Sequence, residues 1–129
     1  MDPNKVVIII EDEKDLLDSY TEVIESTGAT VYGATDGYKG LKLIEENKSS
    51  VAVVLLDLMM PGIDGIEVLR QIKSHPDQYD GVPVVILTSM VSDKVVKECL
   101  TLGASEYFVK TEISFEELIS NIEKYLGSK

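Results

Sequence analysis

VVLLDLMMPGIDG, Val53 to Gly65, decides how this chain is read. It carries most of an apolar run, Val51–Leu56, that ends on a lone carboxylate, Asp57, with Pro61 and Gly62 close behind. Apolar residues at consecutive rather than alternating positions describe a strand covered on both faces, the condition of a parallel sheet with helices above and below. Asp has poor strand propensity, and Leu or Val would extend the run without cost, so the carboxylate needs a chemical reason.

Outward from this strand, short apolar runs alternate with segments of helical period. The runs are Val6–Ile10, the weaker Thr30–Gly33, Val51–Leu56, Val82–Leu87 and Tyr107–Val109. After the first, Leu16, Leu17, Tyr20, Val23 and Ile24 keep helical spacing and Gly28 supplies a left-handed stop. Asp36 is placed to cap a second helix with Tyr38, Leu41 and Ile44 on one side. Asp64 caps a third carrying Ile66, Leu69 and Ile72, ended by His75-Pro76. Ser92 or Asp93 starts a fourth, with Val95, Val96, Cys99 and Leu100 spaced for burial and Gly103 at its end. Ser114 and Glu117 form a capping box ahead of the cleanest stripe in the chain: Phe115, Leu118, Ile119, Ile122, Tyr125 and Leu126. The pattern is (βα)₅. Right-handed crossovers between parallel strands satisfy it. With the polar second strand and the short fifth at the edges, the strand order is 2-1-3-4-5, the flavodoxin-like α/β arrangement, which forms its site outside the carboxyl ends of the strands.

Composition narrows the function. The chain has 129 residues, enough for one core that buries about 68% of the surface exposed by the unfolded chain. It carries 23 acidic and 12 basic residues for a net charge of −11, which argues against direct nucleic-acid binding, since phosphates are held by Lys and Arg clusters. No apolar run approaches the ~20 residues of a membrane span and no signal segment opens the chain, so the expected location is the cytoplasm. The single cysteine, Cys99, has no partner for a disulfide or a CxxC pair and reads as a packed small hydrophobe. His75, before a proline, has no neighbouring ring or thiol and reads as a loop residue.

The carboxyl ends of the expected strands collect a short set of reactive groups. Strand one ends in Glu11-Asp12-Glu13, strand three in Asp57, strand four in Thr88-Ser89 and strand five in Lys110. Carboxylates brought to within about 4 Å repel by about 4 kcal/mol per pair at an effective dielectric of 20, so a cation is required. An all-oxygen donor set without His or Cys favours a hard ion, and few direct carboxylates suit Mg²⁺. Lys110 and the Thr88 hydroxyl would suit an anion beside it, with phosphate the obvious candidate. Each residue alone has an ordinary explanation as cap, turn or surface group. Their coincidence at one edge does not.

The segments VIIIEDE, VVLLDLMMPGIDG, VPVVILTS and GASEYFVK, in this order and spacing, resemble the receiver domain of two-component response regulators, chemotaxis regulators among them, from about Lys5 to Leu126. The resemblance implies one receiver domain over residues 1–129 with a core of about 5–126. It implies that Asp57 is the phosphoacceptor for a phosphohistidine on a sensor histidine kinase or histidine phosphotransfer protein. Glu11 and Asp12 correspond to the acidic pair that holds Mg²⁺ together with Asp57, and the backbone carbonyl of Met59 completes the protein's share. Lys110 corresponds to the lysine that pairs with a phosphoryl oxygen, Thr88 to the hydroxyl residue that moves toward it, and Tyr107 to the aromatic that turns inward as Thr88 moves. The implied protein is a regulator rather than an enzyme. It would signal through the face of the fourth helix, fifth strand and fifth helix to a protein target or an effector domain absent from this chain.

Departures from the family pattern qualify these expectations. Lys110 is followed by Thr111 instead of the usual cis-proline; a cis bond there would cost about 2.5–4 kcal/mol, which leaves the placement of Lys110 open. Ser89 replaces a smaller residue. Met59 and Met90, two residues beyond Asp57 and Thr88, stand where the family tunes loss of the phosphoryl group, and neither can orient a water, so slow self-dephosphorylation is expected. Met59 also stands where a haloacid-dehalogenase-type phosphatase carries its second Asp, which argues against that enzyme. The remaining alternative is a receiver fold kept as an interaction scaffold without phosphorylation.

Overall fold

The computed structural model describes residues 5–127. Its elements are β1 (Val6–Ile10), α1 (Lys14–Glu25), β2 (Thr30–Ala34), α2 (Gly37–Glu46), β3 (Val51–Leu56), α3 (Gly65–Ser74), β4 (Val84–Thr88), α4 (Asp93–Leu102), β5 (Glu106–Val109) and α5 (Phe115–Tyr125). A single helical turn, Pro76–Tyr79, follows α3, and a 3₁₀ turn, Lys110–Glu112, follows β5. The strands form one parallel sheet in the order β2-β1-β3-β4-β5, as the sequence implies.

Consecutive apolar positions in β1, β3 and β4 serve two cores. Val6, Ile8 and Ile10 of β1 pack with Val54, Leu56, Val84 and Ile86 under α2, α3 and α4. Val7 and Ile9 pack with Val53, Leu55, Val85 and Leu87 under α1 and α5. Each fully buried Ile or Leu contributes about 1.5–3 kcal/mol, so the doubly covered strands anchor the fold.

The starts of α2, α3, α4 and α5 are set by side-chain caps worth about 1 kcal/mol each. Asp36 accepts from the Lys39 amide at 2.8 Å, Asp64 from Glu67 at 2.9 Å and Ser92 from Val95 at 3.3 Å. The capping box of α5 is complete, with Ser114 Oγ accepting from the Glu117 amide and Glu117 Oε1 from the Ser114 amide. Of the two candidates for the start of α4, Ser92 is the cap. Gly103 ends that helix in the left-handed region, at φ 111°.

Five expectations need correction, two of them by one residue: the second strand runs on through Ala34 and the fifth begins at Glu106. The fourth strand begins at Val84 instead of Val82, because Pro83 has no N–H for the ladder, and it extends through Thr88. Tyr38 does not share the buried side of α2 and is 68% exposed; the buried face is Gly37, Gly40, Leu41 and Ile44, with the glycines admitting the helix closely against Ile63, Val68 and Ile10. Leu100 is 47% exposed and Cys99 alone is fully buried in α4, since that helix packs at the sheet edge over β5 and has fewer neighbours to cover it.

Burial of Cys99, with the charge of Glu98 adding, pushes its thiol up to about 11. The thiolate is the nucleophile, so at mildly alkaline pH only about one molecule in a thousand would present it. Native protein is expected to resist an aromatic disulfide reagent and to react stoichiometrically once unfolded. Rapid labelling of the native protein would contradict this placement.

Candidate functional site

Register brings the acidic residues together. Ile10 pairs with Ala34 on one side and Leu56 on the other, and the next residues continue the ladder: the Glu11 amide donates to the Ala34 carbonyl at 2.9 Å and the Asp57 amide to the Ile10 carbonyl at 3.0 Å. Glu11 and Asp57 therefore leave neighbouring strands side by side. Both are buried, at 2% and 5% exposure, while Asp12 is half-buried. Carboxylate oxygens of Glu11, Asp12 and Asp57 all lie within 4.8 Å of one another.

Lys110 arrives from the end of β5, beyond β4. Its Nζ donates to Glu11 Oε1 at 2.6 Å and to Asp57 Oδ2 at 3.0 Å, and its side chain is almost enclosed. The second oxygen of each carboxylate is held by a backbone amide two residues on: Glu13 to Glu11 Oε2 and Met59 to Asp57 Oδ1, both at 3.1 Å. Burial raises the Glu11 carboxyl above its ordinary range and the Asp57 charge adds to this, against the hydrogen bonds from Lys110 and the Glu13 amide. For Lys110 burial pulls downward, but the hydrogen bonds and charges of Glu11 and Asp57 outweigh it and the ammonium is held more firmly than usual. No peptide bond among the described residues is cis. Lys110 thus reaches both carboxylates across a trans Lys110–Thr111 bond, which settles the question raised by the missing proline.

One ammonium against three carboxylates leaves the cluster negative. Its donors are all oxygen, and converging carboxylates at this spacing fit a hard divalent cation. The Met59 side chain points to solvent, 54% exposed, while its amide stays within the Asp57 turn.

Thr88 ends β4 fully buried, one residue beyond the Leu87 position. Its Oγ1 accepts a long hydrogen bond, 3.4 Å, from the Met90 amide, and the Met90 carbonyl accepts from the Tyr107 hydroxyl at 2.9 Å. Met90 thus joins Thr88 to Tyr107 through its backbone. Side-chain reasoning gave no sign of this link, because a main-chain contact is indifferent to residue type.

Two more residues shape the site without having been singled out. Gly65 lies so close to the Asp57 carbonyl and Leu58 Cα that a Cβ there would sit 2.5 Å from the latter, and its amide donates to the Leu58 carbonyl at 3.0 Å. A glycine directly after the Asp64 cap, where a better helix former would serve, was the available signal. Tyr20, expected only as core, borders a cavity of about 300 Å³ with Lys110, Ser114 and Phe115, and its ring meets Phe115 edge to face at 6.1 Å. No helix among the described residues is long and apolar enough to cross a membrane.

A doubly wound parallel sheet with three carboxylates and a lysine at its carboxyl edge defines a class of cation-binding α/β domains. Residues 7–123 match the family described as response regulator receiver domain, and the chain belongs to it. Solved relatives agree along their length. The receiver domain of the Francisella response regulator 1452 is 31% identical with a TM-score of 0.80, covering 95% of this chain and 97% of that one. The signal receiver domain of a DNA-binding response regulator from Colwellia psychrerythraea is also 31% identical, TM-score 0.82, covering 92% and 95%. The response regulator Rcp1, solved in a Mn²⁺-bound form, is 27% identical, TM-score 0.83, covering 97% and 96%. Membership and the acidic cluster fit a phosphorylation-activated switch of two-component signalling, a regulatory domain working with kinases or phosphotransfer proteins and downstream targets.

Proposed function

We propose that residues 1–129 act as a single receiver domain that takes a phosphoryl group onto Asp57 from a phosphohistidine, on a sensor histidine kinase or a histidine phosphotransfer protein in the cytoplasm. The observation that carries this reading is the buried Asp57 carboxylate held at 3.0 Å by Lys110 within a cluster of three carboxylates. An Asp57 oxygen forms the new O–P bond as the donor's N–P bond breaks, its electron pair returning to the imidazole. Glu11, Asp12, Asp57 and the Met59 carbonyl would hold Mg²⁺, which supplies positive charge to the phosphoryl oxygens.

The chain's own residues do the rest. Lys110, already paired with Asp57, would follow the charge outward to a phosphoryl oxygen. The Thr88 hydroxyl accepts only weakly from Met90 and keeps its proton free to donate to the phosphoryl group. Movement of Thr88 would then act on Met90 and on Tyr107, which Met90 holds through its carbonyl. A phosphoryl group that bonds Thr88 in one of two states shifts their populations, and the face of α4, β5 and α5 would pass the change to a target.

Incubation with a small acyl phosphate and Mg²⁺ should add the mass of one phosphoryl group, and Asp57→Asn should abolish the gain. Continuous release of inorganic phosphate would indicate an enzyme, and absence of modification in folded protein a scaffold. The exposed Met59 side chain and the apolar Met90 offer nothing to orient an attacking water. The phosphorylated form is therefore expected to persist for minutes or longer, and Met59→Asn to shorten its life. Decay within seconds that Met59→Asn leaves unchanged would remove the two methionines from this role.

A further inference from the structure

The sequence holds three Asp-Gly pairs: Asp36-Gly37, Asp64-Gly65 and Asp80-Gly81. In such a pair the glycine nitrogen, unshielded by a neighbouring Cβ, can attack the aspartyl carboxyl carbon and close a five-membered succinimide. The fold treats the three pairs differently.

Two of them are tied down. Asp36 and Asp64 cap α2 and α3, their carboxylates accepting from the Lys39 and Glu67 amides at 2.8 and 2.9 Å. Their glycines are buried, and the Gly65 amide is itself committed to the Leu58 carbonyl at 3.0 Å. Ile63 and Val68 leave no room for a methyl group on Gly37, and the Asp57 carbonyl leaves none on Gly65. Neither carboxyl can swing onto the next nitrogen without giving up a helix cap.

The third pair has no such restraint. Asp80 and Gly81 are both exposed, and neither the Asp80 carboxylate nor the Gly81 amide makes a hydrogen bond with any described residue. Nothing lies within 4 Å of where a Cβ on Gly81 would sit, so the ring has room to close. Asp80 is also the one non-glycine residue at positive φ among the described residues, at φ 61° and ψ 26°. A side chain holds that conformation at a cost, so departure toward the ring geometry meets less resistance than in an ordinary turn. The flanks are anchored: Lys48 Nζ donates to the Asp77 carbonyl at 2.8 Å, Lys73 Nζ to the Val82 carbonyl at 2.9 Å, and Tyr79 and Val82 are buried. The link can rearrange while the fold around it stays in place.

We infer that Asp80-Gly81 is the site at which the native protein forms isoaspartate, and that the modified turn is a substrate for isoaspartyl methyltransferases that use S-adenosylmethionine. Gly81 N bonds to Cγ of the Asp80 carboxylic acid, the C–OH bond breaks, and the hydroxyl leaves as water with the amide proton. Water then opens the ring at the main-chain carbonyl of Asp80, breaking its bond to Gly81 N. The peptide link now runs through the side chain and the α-carboxylate is free. The enzyme moves a methyl group from the sulfonium of its donor to that carboxylate, leaving a thioether. The pair precedes β4, at the opposite end of the sheet from Asp57, and the inference is independent of the switch reading.

The test incubates the full chain in warm buffer, either native or in guanidinium chloride, and maps isoaspartate by peptide analysis with electron-transfer fragmentation. A purified isoaspartyl methyltransferase with labelled S-adenosylmethionine then reads the native samples. Native protein should gain isoaspartate at Asp80 several-fold faster than at Asp36 or Asp64, whereas the unfolded chain should react at all three at similar rates. Asp80→Gly suits a positive φ and should fold while losing nearly all of the native methyl label. Should it fold poorly, the native and unfolded rates of the parent chain decide alone. Equal native rates at the three pairs would overturn the inference, as would a native Asp80 that stays unmodified while the unfolded chain reacts there. Label that persists in folded Asp80→Gly, or isoaspartate at Asp80 that the enzyme leaves unmethylated, would count against it equally.

Discussion

Lys110→Met is expected to destabilise the protein by roughly 3 kcal/mol near neutral pH, the low end of the cost of orphaning a buried ion. The variant leaves Glu11 and Asp57 opposed only by the amides of Glu13 and Met59, both carboxylates remaining almost fully enclosed. The deficit should depend on pH in a definite direction. The Glu11 carboxyl is already raised in the folded protein, and loss of Lys110 removes a contribution that lowers it. A raised carboxyl contributes stability that is present at low pH and lost as pH rises through its folded value, so the penalty is greatest at neutral and higher pH. It should shrink as pH falls toward the ordinary carboxylate range. Added Mg²⁺ should restore more stability to the variant than to the parent, since a cation bound to the native state alone stabilises it by mass action. Urea denaturation at several pH values, with and without Mg²⁺, reads all three effects. A variant as stable as the parent at neutral pH and indifferent to Mg²⁺ would mean that the carboxylates are not charged together in the folded protein. Phosphorylation of this variant should fall sharply as well, because Lys110 is the nearest cation to the acceptor.

How much of this was legible depended on the kind of information each feature needs. β1 and β3 coincide with their apolar runs, because a strand buried on both faces has no choice but to be apolar throughout. The caps at Asp36, Asp64 and Ser114 were equally plain, since a short oxygen-bearing side chain bonds an amide three residues away. Helical spacing served less well where depth of burial decides the outcome. Tyr38 and Leu41 both fit an apolar stripe, but Gly37 and Gly40 mark the line of closest approach, and Tyr38 stands off that line. Leu100 fits the stripe of α4, yet a helix over the sheet's last strand has too little around it to cover more than Cys99. For the site, residue types and strand ends named Glu11, Asp12, Glu13, Asp57, Thr88, Ser89 and Lys110, and the family resemblance narrowed these to Glu11, Asp12, Asp57, Thr88 and Lys110. Their actual pairing was not available. Lys110 meets Glu11 across 99 positions and Asp57 across 53, and the trans path after Lys110 could have sent its ammonium elsewhere. Contacts made through backbone atoms, Met90 between Thr88 and Tyr107, leave no trace in residue identity at all.

Gly65 shows how the opening stretch holds its nucleophile, and Gly65→Ala should lower stability by about 2 kcal/mol despite adding a better helix former. Alanine gains up to about 1 kcal/mol over glycine within a helix, less at its first position. Against this, the new methyl group would meet the Asp57 carbonyl and Leu58 Cα, which are main-chain atoms held in place. Overpacking of this kind costs about 1–3 kcal/mol or more, and here the strain can be relieved only by moving the backbone. At Gly40, by contrast, an added Cβ meets Cδ1 and Cγ1 of Ile10, side-chain atoms that can give way without moving the main chain. Gly40→Ala is therefore expected to cost less, although the site it crowds is as deeply buried. The segment Gly65 would displace carries Asp57, whose amide continues the β1 ladder, and Met59, whose amide fixes one Asp57 oxygen. A shift there separates Asp57 from Glu11 and Lys110, so phosphorylation and Mg²⁺ affinity should fall together and by more than stability alone explains. Since the chain has no tryptophan, Mg²⁺ binding is best read by calorimetry and the fold by circular dichroism in urea. Gly65→Ala as stable as the parent, with Mg²⁺ affinity intact, would show that the chain around Asp57 yields to the methyl group, and that close packing of α3 is not what sets the carboxylate in place.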